Sequence, residues 1–157
     1  MMKMDKQDIK ACIQYKQILV PIDGSENSCR AIAAAVDMAE LSQATISILY
    51  ILTFSQQTPL QKQIHGDKVP HEVRSNPVEF AKSMLKDAGK LIPKHIRRRT
   101  YYEIGEPGIA ITDFAQRNHY DVIVIGSRGL NFLSGIWQGS VSKYVTANAQ
   151  CSVLIIK

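Results

Sequence analysis

Short apolar runs alternate along the chain with stretches in which apolar residues recur every three or four positions. The first run is Gln17 to Ile22, with Ile18, Leu19, Val20 and Ile22 apolar. The second, Thr45 to Leu52, reads T-I-S-I-L-Y-I-L. The fourth, Val122 to Ile125, and the last, Val153 to Lys157, are dense in Val, Ile and Leu. Runs of this length and β-branched content predict strands buried on both faces. About Ile96 to Glu103 is less apolar and carries Arg97, Arg98 and Arg99, which predicts an edge strand whose charges deter pairing. Between these runs the spacing is helical. About Glu26 to Leu41 places Cys29, Ile32, Val36 and Ala39 on one stripe, with Cys29 a buried small hydrophobe and Ala33 and Ala35 in close packing. About Val78 to Ile92 aligns Ala81, Met84, Leu85, Ala88 and Leu91, and Pro93 stops it. About Pro107 to Asn118 buries Ile111, Phe114 and Ala115. About Ser140 to Ala149 anchors Val141, Tyr144 and Val145. Five strands alternating with four helices predict a single α/β domain with a doubly wound parallel sheet.

Two stretches lack periodicity. Residues 1–15 read as a flexible N-terminal arm, and 53–77, rich in Gln, His, Lys and Pro, as a long mobile loop. His65 and His71 in that loop lack the spacing of a metal pair and read as solvated.

Composition narrows the function classes without choosing one. At 157 residues and 45% hydrophobic, the chain is long enough for a real core, and no apolar run approaches the ~20 residues of a membrane span. The charged opening M-M-K-M-D-K-Q-D-I-K is unlike a secretory signal. Cys12, Cys29 and Cys151 lack metal or disulfide spacing and read as free thiols in a reducing cytoplasm. The net charge of +5 lies largely in the arginine triplet and the N-terminal lysines. Without a groove-reading motif or interleaved aromatics, nucleic acid is not the expected partner.

The candidate chemistry lies where the fourth run ends. Val122 to Ile125 stops at Gly126, and Gly129, Gly139 and Ser140 follow at fixed offsets before the last helix. A strand feeding a glycine-rich loop that ends at a helix start is suited to phosphate: backbone N–H groups approach closely, and the helix end adds unpaired donors. The spacing G-x2-G-x9-G-[ST] is neither the P-loop nor the dinucleotide fingerprint, and chance alone produces it in on the order of 0.5% of chains this long. The first run ends at Pro21-Ile22-Asp23-Gly24-Ser25, which puts Asp23 at the carboxyl end of a strand, either as a ligand group or as a turn residue bonded to its own backbone. Arg128, inside the glycine loop, faces either phosphate or solvent.

With these residues in place, the chain from about Lys16 to Lys157 resembles the universal stress protein family, in its ATP-binding branch. G-x2-G-x9-G-[ST] is that family's nucleotide signature, V-P-I-D-G-S resembles its first-strand motif, and Gly105-Glu106-Pro107 its G-x-P step before the third helix. The resemblance implies a sheet of order 3-2-1-4-5, an adenine nucleotide alpha-hydrolase-like fold. It also implies a cytoplasmic, dimeric, nucleotide-dependent regulator of the stress response. ATP with Mg²⁺ would be held by Pro21, Asp23, Ile51, Gly126, Arg128, Gly129, Gly139, Ser140, Val141 and Ser142. Ile51 enters because the residue after the second strand's aromatic reads adenine through its backbone in this family. Here that triplet is Leu49-Tyr50-Ile51, a departure from the family's Leu-His-Val. The uncharged last strand, 152–156, is an unprotected edge and the expected homodimer seam. Ser152 replaces the family's proline and leaves an N–H for pairing.

No catalytic residues are expected, and at most slow ATP hydrolysis, since no Walker lysine, metal-binding pair or evident base is present. Two other readings compete. One is a dimeric adaptor of the same family without nucleotide. The other is an adenylyl-transferring enzyme of related fold, which needs a Ser-Gly-Gly-x-Asp-Ser loop or a His-x-x-His that 21–25 does not supply.

Overall fold

A computed structural model describes residues 15–53, 76–127 and 140–157. The strands are β1 (Gln17–Ile22), β2 (Thr45–Leu52), β3 (Arg98–Ile104), β4 (Val122–Gly126) and β5 (Ser152–Ile156). The helices are α1 (Glu26–Ser42), α2 (Pro77–Lys90), α3 (Pro107–Arg117) and α4 (Ser140–Asn148). All strand pairs are parallel, in the order β3-β2-β1-β4-β5. This is the architecture and order expected. The arm 1–14 and most of the loop 53–77 lie outside the described residues.

The strand alternation builds two cores. Ile18, Val20, Ile46, Ile48, Val122 and Val124 face α1 and α2. Leu19, Leu49, Ile51, Ile123 and Ile125 face α3 and α4, where Phe114 and Tyr120 stack at 5.8 Å between ring centroids. β1 and β2 are covered on both faces, which is why their sequences are nearly all apolar rather than alternating.

Helix α1 rotates its inner face by one position from the expected stripe. Ser28, Ala31, Ile32, Ala35 and Ala39 are buried, whereas Cys29 is exposed. The cap sets this phase. The N–H of Ser28 donates to the Ser25 Oγ at 3.2 Å, and the Ser28 hydroxyl donates to the Ser25 carbonyl at 2.8 Å, turning Ser28 inward. Small residues on this face let α1 lie close to the sheet. The helix ends at Gln43, a left-handed residue (φ 57°) whose N–H donates to the Ala39 carbonyl at 2.7 Å.

Two further expectations shift. Leu91 lies just beyond the end of α2 and is 53% exposed; Ile92, next in the chain, is buried instead. Tyr144 is 40% exposed because it lies over Gly108 of α3 rather than pointing into the sheet, and Ser142 and Val145 form the buried side of α4.

Both sheet edges fall where expected. β3 is polar and largely exposed. On β5 the flanks of Leu154 and Ile155 are open to solvent. The N–H of Ser152 donates to the Asp121 carbonyl at 3.3 Å, so it is used inside the sheet and not at the outer edge.

Candidate functional site

The site follows from where β1 and β4 stop pairing. They are neighbours at the centre of the sheet, and their crossovers run to opposite sides, the arrangement that opens a crevice at the carboxyl ends of parallel strands. Their register contains only Ile18↔Val122 and Leu19↔Ile123, although β4 continues to Gly126. Pro21 accounts for the early stop. On β1, Gln17 bonds toward β4 through its carbonyl, so by alternation residues 17, 19 and 21 present their peptide groups to β4. Residue 21 has no N–H to present. Pro21 is nevertheless buried and paired by register with Leu49 on the other side, so β1 stays fixed to β2 while its outer ladder ends.

Asp23 follows at the rim. Its Oδ1 accepts the N–H of Ser25 at 3.0 Å, closing a turn in which Gly24 adopts φ 86°. Of the two alternatives for Asp23, the turn is the one observed, and it stands at the carboxyl end of β1 just ahead of the Ser25 cap. The tip of Met84, from α2, lies against Gly24.

On the facing rim, Gly126 ends β4. A Cβ there would lie 2.9 Å from the Asn27 Cβ and 3.0 Å from the Asn27 carbonyl carbon and oxygen. Gly126 is thus required by the close approach of α1, whatever else the loop binds. The next residue, Ser127, donates its N–H to the Ile156 carbonyl at 2.7 Å. Its carbonyl accepts the hydroxyl of Ser142, 3.3 Å away and 7% exposed. This bond fixes the first turn of α4, Ser140-Val141-Ser142, against the end of β4. Val141 packs on the α3–α4 core. The first turn of α4 consequently sits at the head of the crevice, with backbone N–H groups of the kind that helices leave unpaired at that end.

Ile51 enters through its backbone. Thr45 donates to Lys16 of the β1 side, while Ile46 donates to Arg97 and Leu52 accepts from Gly105, both of the β3 side. Alternation therefore directs the peptide edge of Ile51 toward β1, at the level where the β1 register has ended with Ile22↔Tyr50. Its side chain is 8% exposed, in the α3–α4 core. The peptide edge rather than the side chain is what this residue offers a ligand.

Pro21, Asp23, Ile51, Gly126, Val141 and Ser142 thus gather around one end of the sheet, with the backbone of Ser140 opening α4. Arg128, Gly129 and Gly139 lie outside the described residues. Sequence reasoning missed Asn27, Met84 and Ser127. Asn27 and Ser127 adjoin motif residues and were within reach, but nothing local marks Met84, which arrives from a separate helix.

The residues fit an adenine nucleotide in three respects: a missing Cβ at Gly126, a helix amino end over the crevice, and a backbone edge at Ile51. Asp23 supplies a carboxylate at the rim. Among the described residues no group of three His, Cys, Asp or Glu is placed to hold a metal.

Known proteins share the sequence pattern and the fold of this chain. The model of the universal stress protein family matches residues 14–157. A universal stress protein of Bacillus subtilis, YxiE, is 32% identical over 150 residues, covering 91% of this chain and 99% of its own. The solved universal stress protein UspA from Lactobacillus plantarum superposes with a TM-score of 0.70 at 28% identity, over 92% of this chain and 99% of its own. Two more distant structures share the fold. A universal stress protein in complex with cAMP has a TM-score of 0.68 at 20% identity, covering 92% and 99% of the two chains. An Arabidopsis thaliana family protein with AMP bound has 0.58 at 18%, covering 90% and 91%. A match of the family model along almost the whole chain, a relative at 32% identity and a sheet of the expected order lead to one conclusion: the chain belongs to the universal stress protein family.

Proposed function

We propose that this chain is an ATP-binding universal stress protein, a cytoplasmic homodimer that regulates the stress response according to its nucleotide. The observation that carries the reading is the crevice made where Pro21 ends the β1–β4 ladder, rimmed by Asp23 and Gly126 and headed by α4. The nucleotides held by the cAMP- and AMP-bound relatives support an adenine ligand. Adenine lies against the peptide edge of Ile51. The phosphates lie along Gly126, Arg128, Gly129, Gly139 and Ser140, with the N–H groups of Val141 and Ser142 as donors. Mg²⁺ is held chiefly by phosphate and water, as is usual for this ion, with Asp23 its nearest protein carboxylate. The edge strand 152–156 pairs with its copy. ATP acts as a switch between states of the loop or dimer.

The test is the nucleotide content of freshly purified protein, denatured and resolved by anion exchange, beside a Gly129→Val variant. The expected result is ATP in the wild type, co-purified or taken up with Mg²⁺, and its loss in the variant. A stable dimer that contains no nucleotide and gives no heat with Mg²⁺-ATP would favour the adaptor reading. AMP or cAMP alone in the supernatant would keep the crevice and change its ligand.

A further inference from the structure

The amino ends of the strands lie at the opposite end of the sheet from the crevice. There Lys16, Gln17, Ser42, Gln43, Thr45, Arg97, Arg98 and Arg99 line a groove of about 590 Å³. Four of these side chains are cationic. Among the described residues, the ion pairs are Arg30–Glu26, Lys82–Glu79, Lys90–Asp87, His95–Glu40 and Arg117–Glu103, so none of the four is neutralised by a carboxylate. Two acids among the described residues lie at this end, and neither is ion-paired to the four cations. Asp121 Oδ2 accepts the backbone N–H groups of Lys16 and Gln17 at 2.7 and 2.8 Å. Glu40 meets His95 Nε2 at 2.6 Å.

The groove is also partly ordered. Arg97 donates to the Gln43 carbonyl at 3.1 Å, which takes up the negative end of α1 and holds the guanidinium in place. Arg98 Nε lies 3.8 Å from where a Cβ on Gly89 of α2 would stand. Thr45 is 8% exposed, and no hydrogen bond among the described residues uses its hydroxyl. Four like charges line one groove, and an anion bound there would relieve their repulsion.

We infer that this groove binds a short polyphosphate anion, the phosphate chain of a small metabolite, at a site separate from the nucleotide crevice. The volume is that of a small-molecule site, within the usual ~300–1,000 Å³. Arginine forks match phosphate oxygens in pairs, and several of them suit a ligand with several charges in a small span. No aromatic side chain lines the groove, so it lacks the stacking platform that single-stranded nucleic acid uses.

The probe is inorganic tripolyphosphate, titrated by calorimetry at low salt into the wild-type chain, into Gly129→Val and into Arg98→Gln/Arg99→Gln. Amide chemical shifts of Gln17 and Thr45 are followed in parallel. Both arginines are exposed, so the neutralised variant should keep its fold, checked by circular dichroism; Arg99→Gln alone is the fallback. The expected result is binding that weakens as salt rises, survives Gly129→Val, moves the Gln17 and Thr45 amides, and falls at least tenfold in the arginine variant. Absence of binding overturns the site. So does binding lost in Gly129→Val and kept in the arginine variant, which would put the anion in the crevice. Tight binding of a single-stranded oligonucleotide or of polyglutamate, with none of tripolyphosphate, would also overturn it, in favour of a macromolecular surface.

Discussion

Two glycines beside the crevice are glycines for different physical reasons, and the difference is measurable. Gly24 is fixed by its dihedral: at φ 86° an alanine is strained, while its nearest neighbour is only the flexible tip of Met84. Gly126 is fixed by space: an added Cβ meets the backbone of Asn27 at 3.0 Å, and backbone in a capped helix does not yield. Gly126→Ala should therefore cost about 1–3 kcal/mol, as overpacking does, read as a lower urea midpoint at unchanged slope. An unchanged midpoint would mean that α1 can retreat and that the close approach is not required. The residue scale also explains Cys29. Its apolar stripe was visible, but the phase of a helix is set by its cap, and the two hydrogen bonds from Ser28 to Ser25 turned Cys29 outward.

Pro21 acts through an element, because what it changes is a ladder. It costs β1 one donor toward β4 and costs nothing toward β2, and a central strand tolerates it for that reason. Continuing the register, the missing donor would meet the Val124 carbonyl. Pro21→Ala supplies that N–H. The gain of a net hydrogen bond, ~0.5–1.5 kcal/mol, nearly offsets the ~0.4–1 kcal/mol lost by making the unfolded chain more flexible. Stability should stay within about 1 kcal/mol of the wild type, while the residue-21 amide becomes protected from exchange and nucleotide retention falls severalfold as the ladder closes into the crevice. Retention at the wild-type level, with amide 21 protected, would separate ladder length from binding.

For the whole molecule, β5 is the proposed seam between two copies. Ser152 bonds to β4, so alternation turns the peptide groups of Val153 and Ile155 to the outer edge. Ile155→Pro removes an outward N–H, which an edge strand of a monomer tolerates and a strand pair across a two-fold axis does not. Light scattering should show a folded monomer in place of the expected dimer. A dimer of unaltered stability would place the seam elsewhere. At the same scale, among the described residues no helix is long and apolar enough to cross a membrane.

The sequence alone determined the element order, because each strand and helix carries its own period and its own stop signal, and β1 and β2 were legible to the residue. It also determined the nature of the two edges, since charge on β3 and its absence on β5 are local facts. The glycine spacing marked the βα loop as a place for phosphate, and Asp23 was marked by its position after a strand. Tertiary structure decided what depends on approach from afar. That Pro21 ends one ladder while keeping another depends on which neighbour each face of β1 meets. That Gly126 must lack a side chain depends on α1, some hundred residues earlier in the chain. The arginine triplet read in sequence as a solvated edge. Only the fold, by aligning the amino ends of β1, β2 and β3, gathered those charges with Lys16 around one groove.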